Sequence, residues 1–228
     1  MQNGRNVINK CRIRQLTKMK LLIIGGTGGT GKELIKQALE QGHHLTALVR
    51  NPDKVRIAHP NLRLIKGNIL DFDKVQEAAA GQDVVISALG HKKFIVKTTI
   101  LSSGTKNIIN AMEKRNVSRF ICITSLGIND SRFKLGLYYT LFVIPFIVFF
   151  YFLDKSKQEK LIKNSKLSWT IIRPGQLTNG KKRGVYKHRS NAGNYIITKT
   201  ISRSDIAHFM LTQLNDATYL RKAVGVTY

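Results

Sequence analysis

The stretch Gly25-Gly26-Thr27-Gly28-Gly29-Thr30-Gly31 decides the fold. It follows the apolar run Leu21-Leu22-Ile23-Ile24 and leads into residues 32–41, whose apolar positions recur at helical spacing. The glycines satisfy both GxxGxxG (Gly25, Gly28, Gly31) and GxGxxG (Gly26, Gly28, Gly31). Glycine is needed in such a loop for three reasons: the chain turns sharply, its amides approach a pyrophosphate closely, and the following helix packs tightly on the strand. The helix N-terminus adds partial positive charge. A glycine motif alone is a weak signal, but between a strand and a helix it is a strong indication of a dinucleotide site.

Residue 50 bears on which dinucleotide is bound. In this architecture an acid closing the second strand holds the ribose 2′-hydroxyl of NAD. Here that strand ends Leu48-Val49-Arg50-Asn51-Pro52-Asp53-Lys54, so Arg50 stands in the place of the acid and Lys54 follows. A guanidinium suits a 2′-phosphate through forked hydrogen bonds, and NADPH is the expected cofactor. The rival reading makes Arg50 one surface cation among many. Asp53 reads as a turn residue after Pro52.

From this loop outward the chain alternates strands and helices. Strands are expected at 21–24, 44–49, 62–65, 83–88, 120–124 and 168–172, and helices at 32–41, 74–80, 99–114, 156–164 and within 201–214. Continuous apolar strands separated by helices describe a parallel sheet covered on both faces. The expected fold class is therefore α/β, a single doubly wound parallel sheet of the Rossmann type over residues 19–228. Residues 1–18 carry Arg5, Lys10, Arg12, Arg14 and Lys18 and no acid. They are expected to form a disordered basic extension, either native or the result of an overlong reading of the start site.

The composition agrees with one globular domain. Of 228 residues, 43% are hydrophobic, too many for a disordered chain. The surplus of 38 Lys and Arg over 13 Asp and Glu gives a net charge of +25, which points to an anionic partner. Nucleic acid is disfavoured, because no helix-turn-helix, RNP or zinc-finger pattern accompanies the charge. The two cysteines, Cys11 and Cys122, make neither a disulfide framework nor a metal spacing, so no metal is expected and a cytoplasmic setting is the default.

Residues 135–153, LGLYYTLFVIPFIVFFYFL, run for 19 positions without a charge. That length reaches the threshold for a membrane span. Pro145 interrupts the run, and it falls between strands that must share one sheet. The expectation is a helix packed over the sheet edge, lining a substrate pocket or meeting a partner helix. Peripheral contact with a membrane surface is the alternative. The acceptor that suits such a run is a small aromatic or apolar molecule.

Read together with Gly67-Asn68-Ile69, Ala88-Leu89-Gly90, Thr124-Ser125 and Trp169-Thr-Ile-Ile-Arg-Pro-Gly175-Gln-Leu, the sequence resembles the atypical short-chain dehydrogenases/reductases. Within them it is similar to the NAD(P)H-binding, NmrA-like group that includes flavin reductase/biliverdin-IXβ reductase. The resemblance covers residues 19–228. It implies that Gly25, Thr27, Gly28, Thr30 and Gly31 hold the pyrophosphate and that Arg50 and Lys54 hold the 2′-phosphate. Asn68 and Ile69 would flank adenine, although the family usually has Asp at the position of Asn68. Ala88, Leu89 and Gly90 would line the cleft, Thr124 and Ser125 would lie near nicotinamide, and Pro174, Gly175 and Gln176 would pass beside its amide. The flavin reductase has a histidine where this chain has Gln176, so no proton donor is expected there.

Many members of the wider superfamily use Ser, Tyr and Lys, with a tyrosine hydroxyl giving a proton and a lysine one helical turn away favouring that transfer. Tyr151 and Lys155 have this YxxxK spacing, Glu159 lies one turn further, and Ser125 follows the fifth strand. Tyr151 is either a proton donor or a packing residue of an aromatic run. A flavin acceptor needs little beyond positioning. The implied function is an NADPH-dependent oxidoreductase passing hydride to a flavin, quinone or tetrapyrrole-like acceptor. The alternative is a non-catalytic NADPH-sensing or partner-binding protein of NmrA-like type.

Overall fold

The computed structural model describes residues 18–91, 95–190 and 192–228. The expected basic extension lies outside the described residues except for Lys18, and so does Cys11. The first half of the chain runs β1 (Lys20–Ile24), α1 (Gly29–Glu40), β2 (His44–Val49), β3 (Leu62–Lys66), α2 (Phe72–Ala79), β4 (Val84–Ser87), α3 (Ile100–Lys114) and β5 (Arg119–Ile123). The second half continues with a π-turn at Tyr139–Val143, then α4 (Ile144–Phe146), α5 (Phe149–Asn164), β6 (Ser168–Pro174), β7 (Gln176–Thr178), β8 (Lys187–Arg189), β9 (Thr200–Ser202), α6 (Arg203–Thr212) and β10 (Lys222–Thr227).

The main sheet has the order β3-β2-β1-β4-β5-β6-β10-β8. Its first six strands follow the doubly wound order, in which the direction of winding reverses between β1 and β4. Pairing is parallel from β3 to β10, and among the described strands of this sheet only β8 runs antiparallel, opposite Gly225–Thr227 of β10 at the edge. β7 and β9 form a separate parallel pair.

Period-two alternation explains why these strands are apolar throughout. On β1, Leu21 and Ile23 join a core with Leu34 and Ile35 of α1 and Ile206 and Phe209 of α6. Their neighbours Leu22 and Ile24 face the other way, toward Val75 of α2, Ile108 and Met112 of α3 and Ile162 of α5. On β5, Ile121 and Ile123 divide from Phe120 and Cys122 in the same manner. Each fully buried Leu, Ile or Phe contributes about 1.5–3 kcal/mol through burial, and both faces of the sheet are covered.

The run 135–153 corrects the sequence expectation. It is not one helix packed over the sheet edge. It passes through the π-turn and α4 and then bends by 96° into α5, which begins seven residues before the expected helix at 156. Pro145, with no amide hydrogen to donate, sits in the first turn of α4, two residues before this break. Most of the run's large apolar side chains are exposed, Phe146 at 78%. No single helix among the described residues is long and apolar enough to cross a membrane.

Candidate functional site: a cleft at the carboxyl ends of the strands

A cleft of about 820 Å³ opens where the winding reverses, over the carboxyl ends of β1, β4 and β5. This is where ligands bind in open α/β sheets. Its floor is the glycine loop. Gly25 has φ +82°, and a Cβ there would lie 2.6 Å from the Ala88 carbonyl oxygen. The Gly28 amide donates to the Gly25 carbonyl at 3.0 Å and closes the turn. Gly28 then caps α1, whose first turn holds no acid. The first amides of a helix have no intrahelical acceptor, and their positive potential here is not neutralised locally.

Most residues expected at the site line this cleft: Gly25, Thr27, Gly28, Thr30, Arg50, Lys54, Asn68, Ile69, Ala88, Leu89, Gly90, Thr124, Tyr151 and Lys155. Others do not. Gly31 sits behind the loop, where an added Cβ would meet the Gly25 carbonyl oxygen at 2.1 Å, so glycine there permits close packing of α1 on the turn. Pro174 and Gly175 are buried beside β10, Gln176 is exposed on β7, and none of the three is in the lining. Ser125 is also outside it, with its hydroxyl donating to the Leu126 carbonyl at 2.8 Å.

Arg50 and Lys54 are both exposed, at the end of β2 and on the short 3-10 turn Pro52–Lys54 that follows. Asn51 accepts the Asp53 amide at 3.0 Å, and Asp53 is outside the lining, consistent with its reading as a turn residue. Asn68 uses its side-chain oxygen on the Leu70 amide at 3.2 Å, which sets the turn after β3. The lining also contains Arg203, which no sequence motif singles out, and His91, the residue after the fourth-strand glycine. Arg203 opens α6, donates to Asn179 at 2.7 Å, and lies so close to the loop that a Cβ on Gly29 would meet its Cδ at 2.6 Å. His91 packs edge-on against Tyr151 with ring centroids 4.8 Å apart, and its Nε2 is 3.0 Å from the Thr98 hydroxyl.

α5 carries Tyr151 and Lys155 and is held in place by two buried acids. Asp154 accepts the Leu101 amide at 2.9 Å and the Ser102 amide at 3.1 Å, together with the Ser102 hydroxyl, and so caps α3. Glu159 accepts Arg173 Nε at 2.9 Å and Nη2 at 2.6 Å, Thr124 Oγ1 at 2.7 Å and Asn129 Nδ2 at 2.9 Å. Arg173, 1% exposed, reaches on to Asp130 with both terminal nitrogens. The guanidinium beside Asp130 holds that carboxyl well below the usual carboxylate range. Every oxygen of the buried Glu159 is thus partnered, as a charge out of water requires.

With α5 fixed, Lys155 is 3% exposed and its Nζ lies 5.2 Å from the Tyr151 ring centroid. This is cation–π range. The phenol oxygen is 3.5 Å from where a Cβ on Gly90 would sit. The cleft therefore unites an anion-binding loop and three cations at one end with a hydroxyl, an ammonium and an imidazole at the other. These residues fit a dinucleotide phosphate. Among the described residues no group of three or more His, Cys, Asp or Glu could hold a metal ion.

Comparison with known proteins agrees with this geometry. A chloroplastic protein of Arabidopsis thaliana is 29% identical over 178 residues, 72% of this chain and 61% of that protein. The chain thus spans less than two thirds of that relative's length. The anaerobillin reductase ChuY of Escherichia coli O157:H7 superposes with a TM-score of 0.76 at 22% identity, over 91% of this chain and 96% of that one. A short-chain dehydrogenase/reductase of Veillonella parvula, solved in complex with NADP, gives 0.75 at 18% identity, over 92% and 94%. At these identities the two structures establish the shared fold. Residues 25–217, from the first glycine of the loop to beyond α6, match the NAD(P)H-binding family, and the chain belongs to that family.

Proposed function

We propose that the protein is an NADPH-dependent reductase that delivers hydride to a flat, largely apolar acceptor: a flavin, a quinone or a tetrapyrrole-like molecule. One observation carries the reading. The cleft that holds the glycine loop also holds Arg50 and Lys54 at the end of β2 and the Tyr151–Lys155 pair opposite. When bound, the reduced nicotinamide supplies the hydride. The loop amides and the α1 N-terminus bind its pyrophosphate. Arg50 and Lys54 take the 2′-phosphate, and Arg203 adds a third cation beside the loop. Ile69 and Leu89 give apolar walls. The Tyr151 hydroxyl, on a ring that faces the Lys155 ammonium, is the group from which a proton can pass to an acceptor in the cleft. Thr124, whose own proton is given to Glu159, offers the cleft a hydroxyl lone pair.

The test is NADPH oxidation by the purified full chain against FMN, FAD, quinones and biliverdin, with NADH as control. Turnover with NADPH and poor use of NADH are expected. Equal or better use of NADH removes Arg50 from the proposed role. Tight NADPH binding with no turnover of any acceptor identifies the non-catalytic binding protein instead. A Tyr151→Phe variant separates the two readings of that residue. Loss of a general acid costs about 10²–10⁴-fold in kcat, whereas a packing tyrosine leaves kcat nearly unchanged.

A further inference from the structure

We infer that the exposed apolar face built by the π-turn, α4 and the first turn of α5 docks on the surface of an anionic lipid membrane. Leu137, Leu141, Phe142, Phe146 and Phe149 are all exposed on it. Ile196, 76% exposed, extends the face from a distant part of the sequence, since its carbonyl accepts the Leu137 amide at 3.2 Å. Neighbouring bonds hold the two segments together: the Thr198 hydroxyl donates to the Leu135 carbonyl at 2.9 Å, and Leu135 and Asn194 form a β-bridge. An exposed apolar patch of this kind on a folded domain marks an interaction surface.

The charge carried by the same part of the chain selects the occupant. From residue 131 to residue 204 the sequence holds 15 Lys and Arg and only two acids, Asp154 and Glu159. Both acids are buried and turned inward, one capping α3 and the other clamping Arg173. Arg132, Lys181, Lys182, Arg183 and Lys199 are exposed. The exposed carboxylate just before this stretch, Asp130, is paired with Arg173 and Lys163, so the stretch offers solvent apolar side chains and positive charge with no unpaired exposed carboxylate. A bilayer interface rich in anionic lipid matches both properties, taking the aromatic and aliphatic groups below its headgroups and the cations among them. A second copy of the chain would set two cationic faces against each other. Nucleic acid would match the charge and leave the apolar groups in water.

The 96° bend between α4 and α5 breaks the run into short pieces that can lie in the interface. Phe149 begins α5, and Tyr151, two residues on in the same turn, lines the cleft, so docking brings the cleft mouth to the lipid boundary. The inference does not depend on the proposed reaction, because vesicle binding is measured without cofactor or acceptor.

The full chain is sedimented with vesicles of phosphatidylcholine mixed with phosphatidylglycerol, and with phosphatidylcholine alone, at low and high salt. Binding to the mixed vesicles, weak binding to the neutral ones and weakening by salt are expected. The double variant Phe142→Ser/Phe146→Ser should lose at least about tenfold in partition, because each buried phenyl group is worth that much in transfer. Its thermal midpoint and NADPH affinity should match the parent, since both side chains are exposed and outside the cleft. The inference is overturned if the parent does not bind the mixed vesicles or the variant binds them as well as the parent. It is also overturned if the same substitutions instead abolish a concentration-dependent dimer in a chain that ignores vesicles, or if the chain binds DNA and not vesicles.

Discussion

Arg50 is the residue on which cofactor choice turns, and it was readable because its meaning depends on position within a strand-ending motif. Nothing but the second strand and the residue that closes it had to be located. Arg50→Gln should raise the KM for NADPH by about 10–100-fold, the loss of a charged hydrogen bond worth about 1.5–3 kcal/mol. The KM for NADH should not change, and steady-state kinetics with both cofactors measures the split. Gly31 carries a different prediction. A methyl group there would press on the Gly25 carbonyl at 2.1 Å with backbone on both sides. Gly31→Ala should therefore abolish NADPH binding in a fluorescence titration without removing any group that touches the cofactor. Arg203 was not readable at the same level. It stands 173 positions beyond Thr30 and reaches the loop only through the packing of α6 on α1, and no local pattern records that contact. The residues around it do give a start signal for α6: Ser202 accepts the Asp205 amide at 2.9 Å in a capping arrangement.

At the scale of the element, α5 shows what periodicity can and cannot reveal. Its second half was legible, because polar and apolar residues alternate at helical spacing from Ser156 onward. Its first turn was not, because Phe149, Phe150, Tyr151 and Phe152 are aromatic on every side and give no face. The small strands β7, β8 and β9 have three residues each, too short for an alternation to stand out. What fixes α5 is equally nonlocal: Arg173 from β6, Thr124 after β5 and Asn129 all converge on Glu159. Glu159→Gln should leave Arg173 buried with its charge only partly answered by Asp130. Breaking a buried pair in this way costs about 3–5 kcal/mol, a fall in Tm on the order of 10 °C for a chain of this size. Differential scanning calorimetry reads the fall. Replacing Arg173 and Glu159 together by apolar residues should recover part of it, which a purely local defect at 159 would not allow.

For the whole molecule, stability should form a dome in pH, with the shape set by groups whose proton affinity changes on folding. His43 is fully buried, accepts the Met19 amide through Nδ1 at 3.2 Å, and is pushed below the ordinary imidazole value by that burial. The unfolded chain thus binds more protons than the folded one as pH falls below about 6.5, and stability declines from there. Asp130, depressed by Arg173, adds loss of the same sign at lower pH, once the unfolded carboxylates begin to protonate near 4. On the alkaline side the order reverses. Burial pushes the Cys122 thiol up to about 12 and the Tyr186 phenol up to about 12. The folded chain then holds protons that the unfolded chain releases from about 8.5 for the thiol and about 10 for the phenol, so stability falls as pH rises. Repulsion among the 25 excess positive charges tilts the curve at low salt, and high salt screens that contribution. Urea unfolding followed across pH at high salt should therefore give a maximum between about 7 and 8. Cys122→Ala should flatten the alkaline arm between about 8.5 and 10 while leaving the acid arm in place. A parent profile that stays level from the acid arm to the alkaline arm would show that these buried groups do not govern the fold's response to pH.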